Sequence, residues 1–146
     1  MATDAWNPEL YARFAAERAQ PFHDLLALVR AHPGMRVVDL GCGPGELTAH
    51  LHRALAARET LGLDSSDAML ARAAAHAGGG LTFAKGDVGA FSGEGYDLVF
   101  SNAALHWVPD HEPLLARLAG ALAPGGQLAV QVPANHDHLS HRLARE

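Results

Sequence analysis

At 146 residues the chain has the length of one domain, and such a domain can bury roughly 70% of its unfolded surface. The formal charge of −5, without a dense Lys/Arg cluster, argues against nucleic acid and anionic membrane surfaces as partners. A single cysteine, Cys42, excludes an internal disulfide and fits a reducing, cytoplasmic setting. No apolar run approaches the roughly 18 to 20 residues that span a bilayer. Met1–Asn7 lacks the basic and apolar regions of a signal peptide, so none is expected. An anionic small substrate stays open, because a local pair of arginines can oppose the overall field.

In chain order, Pro8–Ala19 reads as a helix with Asn7 as cap and Pro8 in the first turn. Pro21–Ala31 reads as a second, with Phe22, Leu25, Leu26 and Val29 on one face, ended by His32, Pro33 and Gly34. Strands are expected at Arg36–Leu40, Thr60–Asp64, Leu81–Ala84, Tyr96–Ser101 and Gln127–Val132. Helices are expected between them at Glu46–Ala57, Ser66–His76 (capped by Ser65 or Ser66) and His111–Leu122, with a turn at Pro124-Gly125-Gly126. No internal repeat or linker interrupts this alternation. Strands separated by helices imply parallel βαβ units with right-handed crossovers. The apolar runs Val37–Leu40 and Leu98–Phe100 suit strands covered on both faces. The expected fold is a doubly wound, Rossmann-like α/β sheet.

Asp39-Leu40-Gly41-Cys42-Gly43-Pro44-Gly45 leaves a buried strand and enters a helix. Glycines there allow a sharp turn and a close backbone approach to a ligand. The helix start that follows offers N–H groups to a ligand carboxylate. Asp64 stands nineteen positions after Gly45 at the end of the next strand, where a carboxylate can accept from both ribose hydroxyls. A nicotinamide dinucleotide would ask for a third glycine at position 46, which holds Glu46, and Pro44 argues against a pyrophosphate cradle. The plain alternative is a tight turn without a ligand.

Asp39–Gly45 resembles motif I of class I methyltransferases, whose opening acid orders the loop and whose glycines lie against the methionine moiety of S-adenosylmethionine. Gly62-Leu63-Asp64-Ser65-Ser66 resembles the second motif, which implies Asp64 on the ribose with Ser65 beside it. Ala68-Met69-Leu70 is similar to the segment beside adenine, and Gly86-Asp87-Val88 to the third motif, whose Asp87 would accept from the adenine amino group. Singly, Met69 could be core and Asp87 a turn acid; four motifs in order at the right strand ends speak together for the cofactor.

Two further stretches resemble the trans-aconitate 2-methyltransferase family. One is Trp6-Asn7-Pro8-Glu9-Leu10-Tyr11, continuing to Phe14, Glu17, Arg18 and Pro21. The other is Ser101-Asn102-Ala103-Ala104-Leu105-His106-Trp107-Val108-Pro109-Asp110-His111. Ala129–Pro133, Asn135 and Ser140-His141 continue the likeness over essentially the whole chain. The resemblance implies methyl transfer to a carboxylate of trans-aconitate or a related acid, giving a methyl ester and S-adenosylhomocysteine. A carboxylate is already ionised at neutral pH, so in-line positioning in a site cleared of water can suffice without a general base.

On this resemblance Asn102, His106 and Trp107 would stand beside the methyl group, and Trp6 and Tyr11 would close over the cofactor. Arg18 could pair with a substrate carboxylate. For Arg18 the alternative is an exposed partner to Glu17 or its neighbours, and for Trp107 it is core packing. His136, His138 and His141 cluster, as do His50 and His52, but no acidic or cysteine ligand completes a set, so no metal is expected.

The family carries two further strands and a helical cap that this sequence, ending at Glu146, does not include. The expected sheet therefore has five parallel strands in the order 3-2-1-4-5. One domain is expected, with residues 1–33 as a helical segment, 34–132 as the core and 133–146 as the start of the cap region. The uncovered fifth strand, with Leu128, Val130 and Val132, would then invite self-association. Two other readings remain open at this point: transfer to a different small acceptor, and a cofactor-binding module without turnover of its own.

Overall fold

The computed structural model describes residues 8–102, 104–105 and 108–132. Its centre is the strand β1 (Arg36–Leu40), buried from Val37 onward. Alternate side chains of a strand point to opposite faces, and here both faces are covered. Val37 enters one core, while Val38 and Leu40 enter the other. In β4 (Tyr96–Asn102), Leu98 and Phe100 join the first core and Val99 the second.

With β2 (Glu59–Asp64), β3 (Leu81–Lys85) and β5 (Leu122–Gln131), these strands form one parallel sheet in the order β3-β2-β1-β4-β5, as expected. The order reverses between β1 and β4, which opens a crevice at the carboxyl tips of those two strands.

The helices α1 (Pro8–Ala27) and α2 (Glu46–Ala54) cover one face, where Phe22, Leu25, Leu51 and Leu55 pack on Met35, Val37, Leu98 and Phe100. The rings of Phe22 and Phe100 lie 4.9 Å apart at 58°. Leu114 and Leu118 of α4 (His111–Gly120) cover the other face, against Val38, Leu40, Val99 and Leu105. Each such side chain, fully buried, contributes about 1.5–3 kcal/mol of apolar transfer.

Three local expectations are corrected. The two amino-terminal helices are one, α1, running through Pro21 to Ala27. A proline interrupts one backbone hydrogen bond of a helix, but Phe22 and Leu25, buried against the sheet, hold the chain on its helical course. The last strand begins at Leu122, not Gln127, and the Pro124-Gly125-Gly126 turn is an irregularity inside it. Leu122 pairs with Tyr96 and Gln127 with Leu98, so extra residues bulge between two paired positions. The segment Ser66–His76 divides into α3 (Asp67–Ala73) and a 3₁₀ turn (Ala74–His76). Ser66 is its cap, accepting from the Met69 N–H at 3.2 Å. The proposed cap Asn7 lies outside the described residues.

Gln127 fastens α1's exit to β5 with two bonds: its side chain accepts from the Arg30 N–H and donates to the Arg30 carbonyl, both at 2.8 Å.

Candidate functional site

The glycine loop joins β1 to α2 at the sheet's carboxyl edge. Gly41, Gly43 and Gly45 have φ of 84°, 59° and 87°, a region that a side chain strains. Gly41 is also needed for space, since a Cβ there would meet Ala104 Cβ at 2.5 Å. The Gly41 and Cys42 N–H groups donate to the Leu63 carbonyl at 2.8 and 3.0 Å, and Gly43 N–H donates to Asp64 Oδ2 at 2.9 Å. Gly45 N–H reaches the Cys42 carbonyl at 3.3 Å. The loop's N–H groups are therefore engaged within the chain, and the loop offers a ligand close approach rather than a ring of free donors. That suits Pro44 and the absence of a pyrophosphate cradle.

Below the loop, Asp39 is buried and accepts from the Thr48 hydroxyl at 2.7 Å. Beside it, Asp64 caps the tip of β2, and its Oδ1 accepts from the Ser66 N–H at 2.9 Å. A carboxylate has about four acceptor positions, so two bonds inside the chain leave room for two more. Asp87 begins the 3₁₀ turn after β3 and accepts from the Gly89 N–H at 2.9 Å. Asn102 is buried at the end of β4. The tips thus present, in sheet order, Asp87, Asp64, the glycine loop over Asp39, and Asn102.

Of the expected site residues, Asp39, Gly41, Cys42, Gly43, Gly45, Asp64, Ser65, Met69, Asp87, Val88 and Asn102 fall along this one edge. Ser65 is exposed, and Met69 and Val88 are half-buried. Trp6, His106 and Trp107 lie outside the described residues; Tyr11 and Arg18 lie on α1, but their side chains are likewise outside.

Sequence reasoning missed three supporting residues. Thr48 holds Asp39, and its only signal is a hydroxyl in the third position of a helix. Phe83 packs so closely that a Cβ on Gly62 would stand 2.6 Å from its ring. Arg117 of α4 donates to the Phe91 carbonyl at 2.9 Å and to the Gly89 carbonyl, bracing the turn that follows Asp87. A pocket of about 490 Å³ opens there, between Asp87, Val108, Pro113 and Arg117.

His52, His50 and His23 have structural surroundings. The His52 ring nitrogens lie 2.7 Å from Thr60 Oγ1 and 2.8 Å from the Gly79 carbonyl. His50 meets His23 edge to face, with ring centroids 4.9 Å apart. Burial, then His23 and Arg53, lower the His50 pKa. Among the described residues no three His, Cys, Asp or Glu side chains gather as a metal site; His136, His138 and His141 lie outside them.

Residues 37–126 match the family described as "Methyltransferase domain". The chain is 56% identical to the trans-aconitate 2-methyltransferase of Deinococcus radiodurans, covering 94% of this chain and 53% of that protein. Relatives of the same name from Streptomyces avermitilis and Variovorax paradoxus are 47% and 46% identical. The chain spans about half the length of the curated relatives it matches. Among solved structures, an S-adenosylmethionine-dependent methyltransferase from Mesorhizobium loti superimposes with a TM-score of 0.69 at 36% identity, covering 75% of this chain and 52% of that one.

Proposed function

The chain belongs to the methyltransferase domain family, and we propose that it is the cofactor-binding part of an enzyme that methylates a carboxylate of a small polycarboxylic acid, trans-aconitate, using S-adenosylmethionine. The observation that carries this reading is the row of groups along one sheet edge in a chain 46–56% identical to proteins named for that reaction. A neighbour of the same fold from Thiobacillus denitrificans, 26% identical with a TM-score of 0.65 over 76% of this chain and 47% of that one, was solved with S-adenosylhomocysteine.

The residues present fit that cofactor. Asp64 keeps acceptor positions for the ribose hydroxyls after serving Gly43 and Ser66. Asp87 uses one oxygen for Gly89, and its exposed carboxylate can take the adenine amino group with the other. Gly41, Cys42, Gly43 and Gly45 let the methionine part approach the backbone over Asp39. Ser65, Met69 and Val88 are assigned to the adenosine end, and Trp6 and Tyr11, whose side chains lie outside the described residues, to closing over the cofactor at its methyl group. The bound cofactor supplies an electrophilic methyl group on a sulfonium.

Asn102, His106 and Trp107 orient the acceptor beside it, and Arg18 pairs with a carboxylate. None of them removes a proton, because the acceptor is already an anion. His106→Gln should therefore retain part of the rate, as one hydrogen bond replaces another, with no ionisation in the histidine range beyond that of binding.

The test incubates the protein with methyl-labelled cofactor and a panel of polycarboxylic acids, amines and phenols. A methyl ester on trans-aconitate is expected from the chain extended by the further half that its relatives carry. Label on amines or phenols alone would overturn the substrate assignment, and cofactor binding without transfer would favour a binding module that needs further chain to act.

A further inference from the structure

We infer that Thr48, acting through Asp39, is a positioning residue for the amino-acid end of the cofactor, an inference that rests on the cofactor reading above. Asp39 is the fourth residue of β1 and Thr48 the third of α2, and both are buried, at 3% and 0% exposure. The Thr48 hydroxyl lies 2.7 Å from Asp39 Oδ2 and 3.5 Å from the Cys42 carbonyl. It has one proton, and the shorter contact to a carboxylate takes it. The bond ties the start of α2 to the end of β1, closing the glycine loop between them.

A threonine in a helix interior can return its hydroxyl to the carbonyl one turn back, but Thr48 stands in the first turn of α2, with no helical turn before it. Its hydroxyl is directed out of the helix to an acid nine residues away. Exchanging both members of a buried polar pair for apolar groups of the same shape is often neutral, whereas valine at position 48 alone would leave the buried Asp39 carboxylate short of a donor. What valine cannot do is hold a carboxylate in one orientation beneath the loop.

The location decides which part of the ligand feels it. Asp87 and Asp64, on the tips of β3 and β2, take the adenosine end. β1 lies next in the sheet, on the side toward β4 and Asn102, so its loop meets the methionine end. Removing the Thr48 hydroxyl should therefore weaken ligands that carry the amino-acid chain and spare adenosine.

The experiment titrates S-adenosylhomocysteine and adenosine into the wild-type chain, Thr48→Val and Thr48→Ser by calorimetry. Thr48→Val should lose about tenfold in affinity for S-adenosylhomocysteine while adenosine changes by less than about twofold, and Thr48→Ser should restore most of the loss. Should the valine variant not fold, Thr48→Ala, which leaves space for a water to bond Asp39 without tethering it to α2, gives the same reading. Parallel loss for both ligands, no loss for either, or failure of serine to rescue would overturn the positioning role and leave the cofactor reading standing. A wild-type chain that binds neither ligand would overturn the cofactor reading itself, and this inference with it.

Discussion

At Asp64, one carboxylate serves the fold and the proposed ligand together. It fastens Gly43 of the loop and Ser66 at the start of α3, and the same group is proposed to receive the ribose. Asp64→Asn should weaken S-adenosylhomocysteine by about 1–3 kcal/mol, the worth of charged hydrogen bonds. Asp64→Ala should also lower the thermal midpoint of the free protein, because two backbone donors lose their acceptor. Calorimetry and thermal unfolding on both variants check this; an alanine variant with wild-type affinity would remove Asp64 from the site. Gly62 makes a separate prediction, from crowding. A methyl group there would lie 2.6 Å from the Phe83 ring and 2.9 Å from Cys42 Cβ. Gly62→Ala should cost about 1–3 kcal/mol as overpacking. Combined with Phe83→Leu it should cost less than the two changes added, because the second makes space for the first. Denaturant midpoints of the single and double variants measure the coupling.

Among the elements, the contact between α1 and α2 carries a pH dependence. His50 on α2 faces His23 on α1 and has Arg53 near it, and its pKa is lowered by burial first, then by His23 and Arg53. The folded chain therefore disfavours the charged ring, whereas the unfolded chain takes up a proton near the ordinary value of about 6.5. A group depressed on folding contributes stability above its unfolded pKa and loses it as pH falls through and below that value. Urea midpoints should drop between pH 7 and pH 5, and His50→Gln should flatten that part of the profile. A variant whose midpoint falls as steeply as the wild type would place the dependence elsewhere.

For the whole molecule, the ligand is proposed to touch the tips of four parallel strands, each followed by a different connection. Binding at such an edge stabilises the sheet as a unit, by mass action on the folded state. S-adenosylhomocysteine at about 100 times its dissociation constant should add about 2.7 kcal/mol to unfolding. A nicotinamide dinucleotide should add nothing, since position 46 is Glu46 and the loop N–H groups are engaged within the chain. Thermal scans with each ligand give the comparison, and stabilisation by the dinucleotide alone would reverse the cofactor assignment.

Periodicity and punctuation in the sequence determined the sheet. Buried apolar runs alternating with helical segments leave parallel pairing as the way to cover both faces, while the order 3-2-1-4-5, which the sheet has, was implied by the family resemblance. The glycine loop, Asp64 and Asp87 were legible for a related reason: they sit at strand ends, where backbone requirements select residue type. Tertiary structure decided what depended on contacts between distant residues. Burial of Phe22 and Leu25 carried α1 through Pro21, where local propensity predicts a break. Pairing to β4 drew residues from Leu122 onward into β5, although Pro124-Gly125-Gly126 reads as a turn. The Thr48–Asp39 bond and the Phe83 ring against Gly62 join residues whose spacing announces nothing, because their proximity arises only when α2 and β3 settle beside β1 and β2.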